Sequence, residues 1–334
     1  MKTINRRKKL LLLLCTITGV LVICICAYLL YVFINKDPFY DIATKGAWHE
    51  YDTGEKSQYN PVTRETIPIY RRIETPPNLL YIEPNDIESL FITDDLGLRA
   101  MELDKNGYVV WEYLFDANVN YFGIYPYGED EVIVSMLNYG RVVIVNKITD
   151  EVRILIDVPV RDVQVISPNE ILLMENLEKG RALIVNGNGE IIWESEPLFY
   201  WSRGVWMKQD GNILVTDFYN KAYEIDYNTK EIIWEVDGFK SPGTIQEMAN
   251  GNYLIADEHR NRVIEINPQT NRVVRKYTNV YSPNAARELP NGDWLIADSD
   301  NGRIIRINHK QHIIYEVSNL NNPNKAIPVM SSGE

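Results

Sequence analysis

Residues 282–317 read SPNAARELPNGDWLIADSDNGRIIRINHKQHIIYEV, and the recurrence of that stretch decides the fold. Residues 241–277 (SPGTIQEMANGNYLIADEHRNRVIEINPQTNRVVRKY) and 201–236 (WSRGVWMKQDGNILVTDFYNKAYEIDYNTKEIIWEV) follow the same order of turn and strand, four strands to a unit. Anchored on the first residue of the second strand, the units begin at Leu90, Val132, Ile171, Ile213, Tyr253 and Trp294, each about forty residues from the last. Alternating runs such as VIEI and IIRI are separated by Asn-Gly, Asp-Gly and Pro-Gln-Thr-Asn, which are hairpin signals. Helical periodicity is absent.

A four-stranded unit of this length cannot bury both faces alone, whereas radial packing of neighbours around a channel buries them and leaves only short edges. The expected fold is therefore all-β, a propeller of six four-stranded blades. A seventh stays open, because residues 37–76 carry no clean copy yet contain the strand-like runs GAWHEYD and IPIYRRIE. Near the C-terminus, NNPNKAI (321–327) repeats the opening of a unit. The last segment is thus expected to supply an inner strand to a blade whose outer strands come from the N-terminal side.

The composition agrees: 45% of the 334 residues are hydrophobic, and 21 Tyr and 7 Trp lie among many Ile and Val, which pack well on pleated surfaces. All three cysteines, Cys15, Cys24 and Cys26, fall in the first apolar run, so the rest of the chain has no thiol for a disulfide or a thiolate metal site.

From Leu10 to Ile34 there is no charged residue, and at about 1.5 Å per residue a helix of that length spans a bilayer core of roughly 30 Å. Lys2, Arg6, Arg7, Lys8 and Lys9 precede it, which places the N-terminus in the cytoplasm and the remainder outside. Cleavage is disfavoured because the nearest small-x-small site, Cys26-Ala27-Tyr28, ends in a bulky ring, and Leu14 precedes Cys15 where a lipid-attachment signal needs Gly or Ala. The expected organisation is a basic cytoplasmic tail (1–9), a transmembrane helix (10–34), a stalk or strands of the closing blade (35–76), and the propeller (77–334). Removing the five tail cations from 34 Lys and Arg leaves 29 against 46 Asp and Glu, a net charge of about −17, which repels nucleic acid and anionic headgroups.

The pattern Asn-Gly-x-hydrophobic-Leu-Ile-Ala-Asp followed by Asn301-Gly302-Arg303-Ile304 is similar to NHL repeats. The continuation Ile-Asp-x-x-Thr-x-Glu-Ile-Ile-Trp at 225–234 resembles the propellers of bacterial arylsulfotransferases and PQQ-type repeats, which Gly107-x-x-x-Trp111 and Gly189-x-x-x-Trp193 also resemble. The PQQ likeness implies that Trp111, Trp193 and Trp234 dock neighbouring blades; no residue set suited to the quinone, its calcium or another metal is present, and no cofactor is expected. The arylsulfotransferase likeness implies sulfuryl transfer between phenols through a histidine that begins an inner strand. The matching segments here read Trp201-Ser202-Arg203-Gly204-Val205 and Ser282-Pro283-Asn284-Ala285-Ala286, and His259 lies instead in the loop after a second strand.

Two groups of residues stand out as candidates for a site. The second strands end in Asp94, Met136, Glu175, Asp217, Asp257 and Asp298; Asp94, Asp257 and Asp298 are each followed five residues later by Arg99, Arg262 and Arg303, the spacing of an acid bracing a turn through an arginine. The inner strands begin at Phe122, Arg161, Arg203, Gly243 and Asn284. Arg161 and Arg203 beside Tyr121, Tyr200, Trp201 and, from a neighbouring loop, His259 would make a cationic, aromatic-lined channel mouth for an anionic ligand with an aryl or sugar face. The reading of function is a membrane-anchored extracytoplasmic propeller that binds or scaffolds an envelope component or protein partner. The alternative is an arylsulfotransferase-like enzyme working at the channel with Arg161, Arg203 and His259.

Overall fold

The computed structural model describes residues 77–81, 86–115 and 123–331. The basic tail, the apolar run 10–34, residues 35–76 and Tyr121 lie outside the described residues. Among the described residues no helix is long and apolar enough to cross a membrane.

Strand β1 (Asn78–Tyr81) precedes β2 (Ile87–Asp94), β3 (Arg99–Asp104) and β4 (Val109–Leu114). The second unit holds β5 (Ile124–Tyr127), β6 (Glu131–Met136), β7 (Arg141–Asn146) and β8 (Val152–Ile156). The third holds β9 (Val160–Ser167), β10 (Glu170–Glu175), β11 (Ala182–Val185) and β12 (Ile191–Glu194). The fourth holds β13 (Val205–Met207), β14 (Ile213–Thr216), β15 (Ala222–Ile225) and β16 (Ile232–Val236). The fifth holds β17 (Pro242–Glu247), β18 (Tyr253–Asp257), β19 (Arg262–Asn267) and β20 (Arg272–Tyr277). The sixth holds β21 (Pro283–Glu288), β22 (Trp294–Asp298), β23 (Arg303–Ile307) and β24 (Ile313–Ser318), and β25 (Pro323–Met330) follows.

Each unit is one antiparallel blade, and the fold is a six-bladed propeller. The first blade is completed from the C-terminus: β25 lies innermost against β2, with Phe91 opposite Ile327 and Ile92 opposite Ala326. The shared blade anticipated from NNPNKAI is therefore present, and its outer strands are residues 87–114. The sixth blade has a fifth strand, β1, which covers the outer edge of β24 with Asn78 opposite Ser318. An edge strand offers unpaired N–H and C=O groups, and β1 satisfies them on this blade.

The ring is closed by six apolar clusters, one between each pair of consecutive blades. Side chains alternate across a strand, so a second strand feeds two clusters. In β2, Leu90 and Ile92 face the sixth blade while Phe91 faces the second. In β10, Ile171 and Leu173 pack toward the second blade, and Leu172 and Met174 toward the fourth. In β22, Trp294 and Ile296 join the fifth blade, and Leu295 and Ala297 join the first. This double duty explains why the second strands are buried along almost their whole length, whereas Val273 and Val274 of outer strand β20 remain exposed.

The tryptophans of the PQQ-like motif do dock blades. The Trp193 indole N–H donates to Tyr227 O across the next blade at 2.9 Å, and its ring stacks on Tyr227 at 5.3 Å. Trp234 donates to Pro268 O and Asn271 Oδ1 in the blade after it. Trp111 joins the cluster between the first and second blades.

Candidate binding site at the channel

The strand register arranges the inner strands in layers across the channel. The bulges near the inner-strand starts bring Arg161, Arg203, Gly243, Asn284 and Asn324 to one level, where Arg161, Arg203, Asn284 and Asn324 line a common cavity. One residue further in lie Asp162, Thr244 and Lys325, and two residues beyond them Tyr125, Gln164, Trp206, Gln246 and Arg287.

At the first level Arg203 is nearly buried, with 5% of its surface exposed. It forms an ion pair with Glu258 and donates to Ser241 Oγ and, at 3.0 Å, to Asn284 Oδ1. Its guanidinium also sits 5.8 Å from the Phe218 ring centroid. Glu258 opens the 3₁₀ turn Glu258–Arg260 after β18, and Asn261, which ends that turn, takes a left-handed conformation. The Glu258 carboxylate further accepts from Ser241 Oγ at 3.4 Å and Ser282 Oγ at 3.3 Å, and His259 Nε2 lies 3.5 Å from it. Burial alone would raise the Glu258 pKa, but the charges of Arg203, His259 and Arg161 hold it below the ordinary carboxylate value. Nearby, burial first and then the Glu258 charge push Asp300 up.

Of the residues proposed from sequence, Arg161 and Arg203 therefore share a cavity, and both act with His259 on one carboxylate. Trp201 stands apart from that cavity: it is half-buried in the loop before β13, at φ 46°, with its N–H donating to Leu177 O. Tyr200 packs edge-on against Tyr219 rather than on an arginine. Glu258 was not anticipated, although the column following the second-strand acid (Asp95, Leu137, Asn176, Phe218, Glu258, Ser299) displays it. Other members of that column also reach inner-strand ends: Asn176 donates to Ser202 O at 2.6 Å and Ser299 to Pro323 O at 2.6 Å.

The second-strand acids brace their turns as their spacing implies. Arg99 meets Asp94 at 3.1 Å, Arg262 meets Asp257 at 2.6 Å, and Arg303 meets Asp298 at 2.7 Å. Glu175 and Arg181 repeat the pair at 3.3 Å. Burial, opposed by the arginine, still raises the pKa of Asp94 and of Glu175, and that of Asp257 against a Lys240 N–H and Arg262. Among the described residues no group of His, Cys, Asp and Glu is arranged to hold a metal ion.

Deeper in the channel Lys325 of β25 reaches across to Asp162 of β9, an ion pair between the first and third blades. Asp162 also accepts from the N–H groups of Val163 and Val205, so both of its carboxylate oxygens are hydrogen-bonded. Burial pulls the Lys325 pKa down, against the attraction of Asp162. Gly123 stands at this level on the intervening second blade; a Cβ there would meet Ser135 Oγ at 3.0 Å. The free space is small, about 10 Å³ at the Arg203 level and about 20 Å³ below it. One water needs roughly 10–15 Å³, so the channel interior accommodates one or two waters and no aryl ring.

No family model matches the chain, and no curated protein does. Among solved structures, a Bacteroides caccae protein of unknown function superposes with a TM-score of 0.64 at 17% identity, covering 73% of this chain and 99% of that one. A chain of a nidogen/laminin complex gives 0.59 at 12% identity, covering 73% and 99%. Virginiamycin B lyase from Staphylococcus aureus gives 0.52 at 13% identity, covering 72% and 87%. At these identities the likeness shows the fold alone, and it identifies neither an arylsulfotransferase nor an NHL family.

Proposed function

We propose that the protein is a single-pass membrane protein with a cytoplasmic N-terminus, whose propeller acts outside the cytoplasm as a binding or scaffold module for an envelope component or protein partner. The uncharged run 10–34 and the five cations before it support the anchor and its orientation. The observation that carries the binding reading is the closure of the Arg203 mouth: arginine and Glu258 are paired, and the space beside them is water-sized. A substrate has no enclosed chamber there, so recognition falls to the loop surface around the mouth. A group-transfer reading has no support at the inner-strand starts, which among the described residues carry Arg161, Arg203, Gly243, Asn284 and Asn324 and no histidine.

The three native cysteines all lie in the apolar run, so a cysteine placed on the propeller is its sole thiol. Lys105→Cys, in the exposed turn after β3, should react with a membrane-impermeant maleimide on intact cells, and the labelled chain should stay with membranes after an alkaline carbonate wash. Labelling only after lysis, or release by the wash, would refute the topology. Turnover of an aryl sulfate with a phenol acceptor by the purified chain would refute the non-catalytic assignment.

A further inference from the structure

The fifth blade reverses a charge that the other blades repeat. In the first, third and sixth blades the arginine that opens the third strand turns Nη1 to a glutamate of the outer strand: Arg99 to Glu112 at 3.1 Å, Arg181 to Glu194 at 2.5 Å and Arg303 to Glu316 at 3.4 Å. Lys221 and Glu235 make the same pair in the fourth blade, and Arg141 reaches Asp157 just past β8 in the second. Each of these glutamates lies opposite the residue two places after its cation. In the fifth blade that register position, opposite Ile264 and two places after Arg262, is Lys276.

Arg262 is left with an unused donor. Its Nε donates to Asp257 at 2.6 Å and its Nη2 to Gly238 O at 3.5 Å, but among the described residues Nη1 has no acceptor. Lys276 is exposed, and neither it nor Asp237, beside Gly238, forms an ion pair among the described residues. Arg260, exposed in the turn before β19, acts on the same Asp257 carboxylate. Three cations therefore stand against one acid, at the margin of a chain whose formal net charge is −12.

The strand edge beside these cations is open. β20 has the six-residue length of β24, yet among the described residues no strand pairs with its outer edge, whereas β24 carries β1. On β24, β1 sets Leu80 opposite Glu316, the counterpart of Lys276. A strand added to β20 in the same register would bring one side chain opposite Lys276, about 5 Å away, on the face of the blade where Arg262 lies. Lys276 O accepts from the exposed Gln311 Nε2 at 3.1 Å and keeps a second lone pair for a ladder bond. Val273 and Val274 add exposed apolar surface to the same edge.

We propose that the outer edge of the fifth blade accepts an extended segment of a protein partner that carries Glu or Asp opposite Lys276, its carboxylate completing with Lys276 and Arg262 the pair this blade lacks. The assignment rests on the reading of the propeller as a binding or scaffold module and gives the partner's chemistry. A lone lysine on an edge discourages indiscriminate strand pairing while admitting a strand that answers its charge. The turn Glu258–Arg260 also supplies Glu258 to the Arg203 mouth, so this edge borders the same face of the disc.

The test is fluorescence anisotropy of the purified full chain in detergent with two labelled peptides, GSNLEYVTGS and GSNLKYVTGS, which carry the β1 sequence NLLY with its third residue changed to Glu or Lys. At low salt the Glu peptide should bind at least about fivefold more tightly than the Lys peptide, and about 0.5 M salt should close most of that gap. Lys276→Glu should reverse the preference. It also restores the acid that other blades carry, so the variant should fold and melt at a higher temperature than the parent. No binding of the Glu peptide at about 1 mM, an unchanged preference in the variant, or a lower melting temperature for it would overturn the site. Competition by acetate as effective as that by unlabelled Glu peptide would overturn its strand half. Failure here would leave the scaffold reading standing, whereas the maleimide and turnover tests bear on that reading and not on this edge.

Discussion

Replacing Lys325 by Met tests whether the ion pair across the channel helps hold the ring shut. Lys325 and Asp162 are 9% and 3% exposed, and the pair joins the C-terminal strand to the third blade. Removing one partner of a buried pair costs about 3–5 kcal/mol, chiefly because the other charge stays behind uncompensated. Asp162 keeps the Val163 and Val205 N–H groups, and the adjacent cavity of about 20 Å³ admits a water, so the lower figure of about 3 kcal/mol applies. For a domain of this size that corresponds to a fall of about 6–12 °C in melting temperature. Adding Asp162→Asn removes the stranded charge and should recover about half of the loss. Thermal unfolding of the purified full chain by circular dichroism measures all three proteins. A Lys325→Met chain melting within about 2 °C of the parent would refute the reasoning.

Glu258→Gln should lower stability at pH 7 by about 1.5–3 kcal/mol. Glu258 has a folded pKa below its ordinary value of 4.5, so its contribution is complete above that value and lost as pH falls through the folded pKa; melting curves of variant and parent should converge in acid. Trp234→Phe removes the donor to Pro268 and Asn271 while keeping a ring, and a loss of about 1–2 kcal/mol in denaturant titration is expected. Gly243→Ala places a Cβ 2.0 Å from Asn284 O, on the neighbouring inner strand, and a loss of about 1–3 kcal/mol should appear in the same titration.

The repeat was legible because second-strand residues serve two interfaces, which forces apolar side chains at successive positions whatever the blade: YLIAD and WLIAD are the clearest cases. Local pairs were legible for a similar reason. Asp94 and Arg99 face each other across one turn, so a fixed five-residue spacing encodes the contact. The closure by β25 showed because NNPNKAI repeats an inner-strand opening. The mouth was read less well. Arg203 and Glu258 lie on different blades, and only the rotation between blades brings them together. Trp201 carries the chemistry of a site residue, yet the turn that positions its backbone leaves it off the cavity that Arg161 and Arg203 line. NLLY at 78–81 matches no repeat position, so its role as the fifth strand of the last blade was hidden too.

The central claim is that the two ends of the propeller meet in one blade, and a disulfide between them tests it most directly. Ser89 and Val329 are paired across β2 and β25, and facing residues on antiparallel strands lie within the 4.4–6.8 Å Cα separation a disulfide tolerates. In a full chain with Cys15, Cys24 and Cys26 changed to Ser, Ser89→Cys with Val329→Cys should oxidise to a single intramolecular crosslink that shifts mobility on a non-reducing gel and disappears on reduction. Thiols that stay free under the same oxidation, or that crosslink only between chains, would contradict the closed ring.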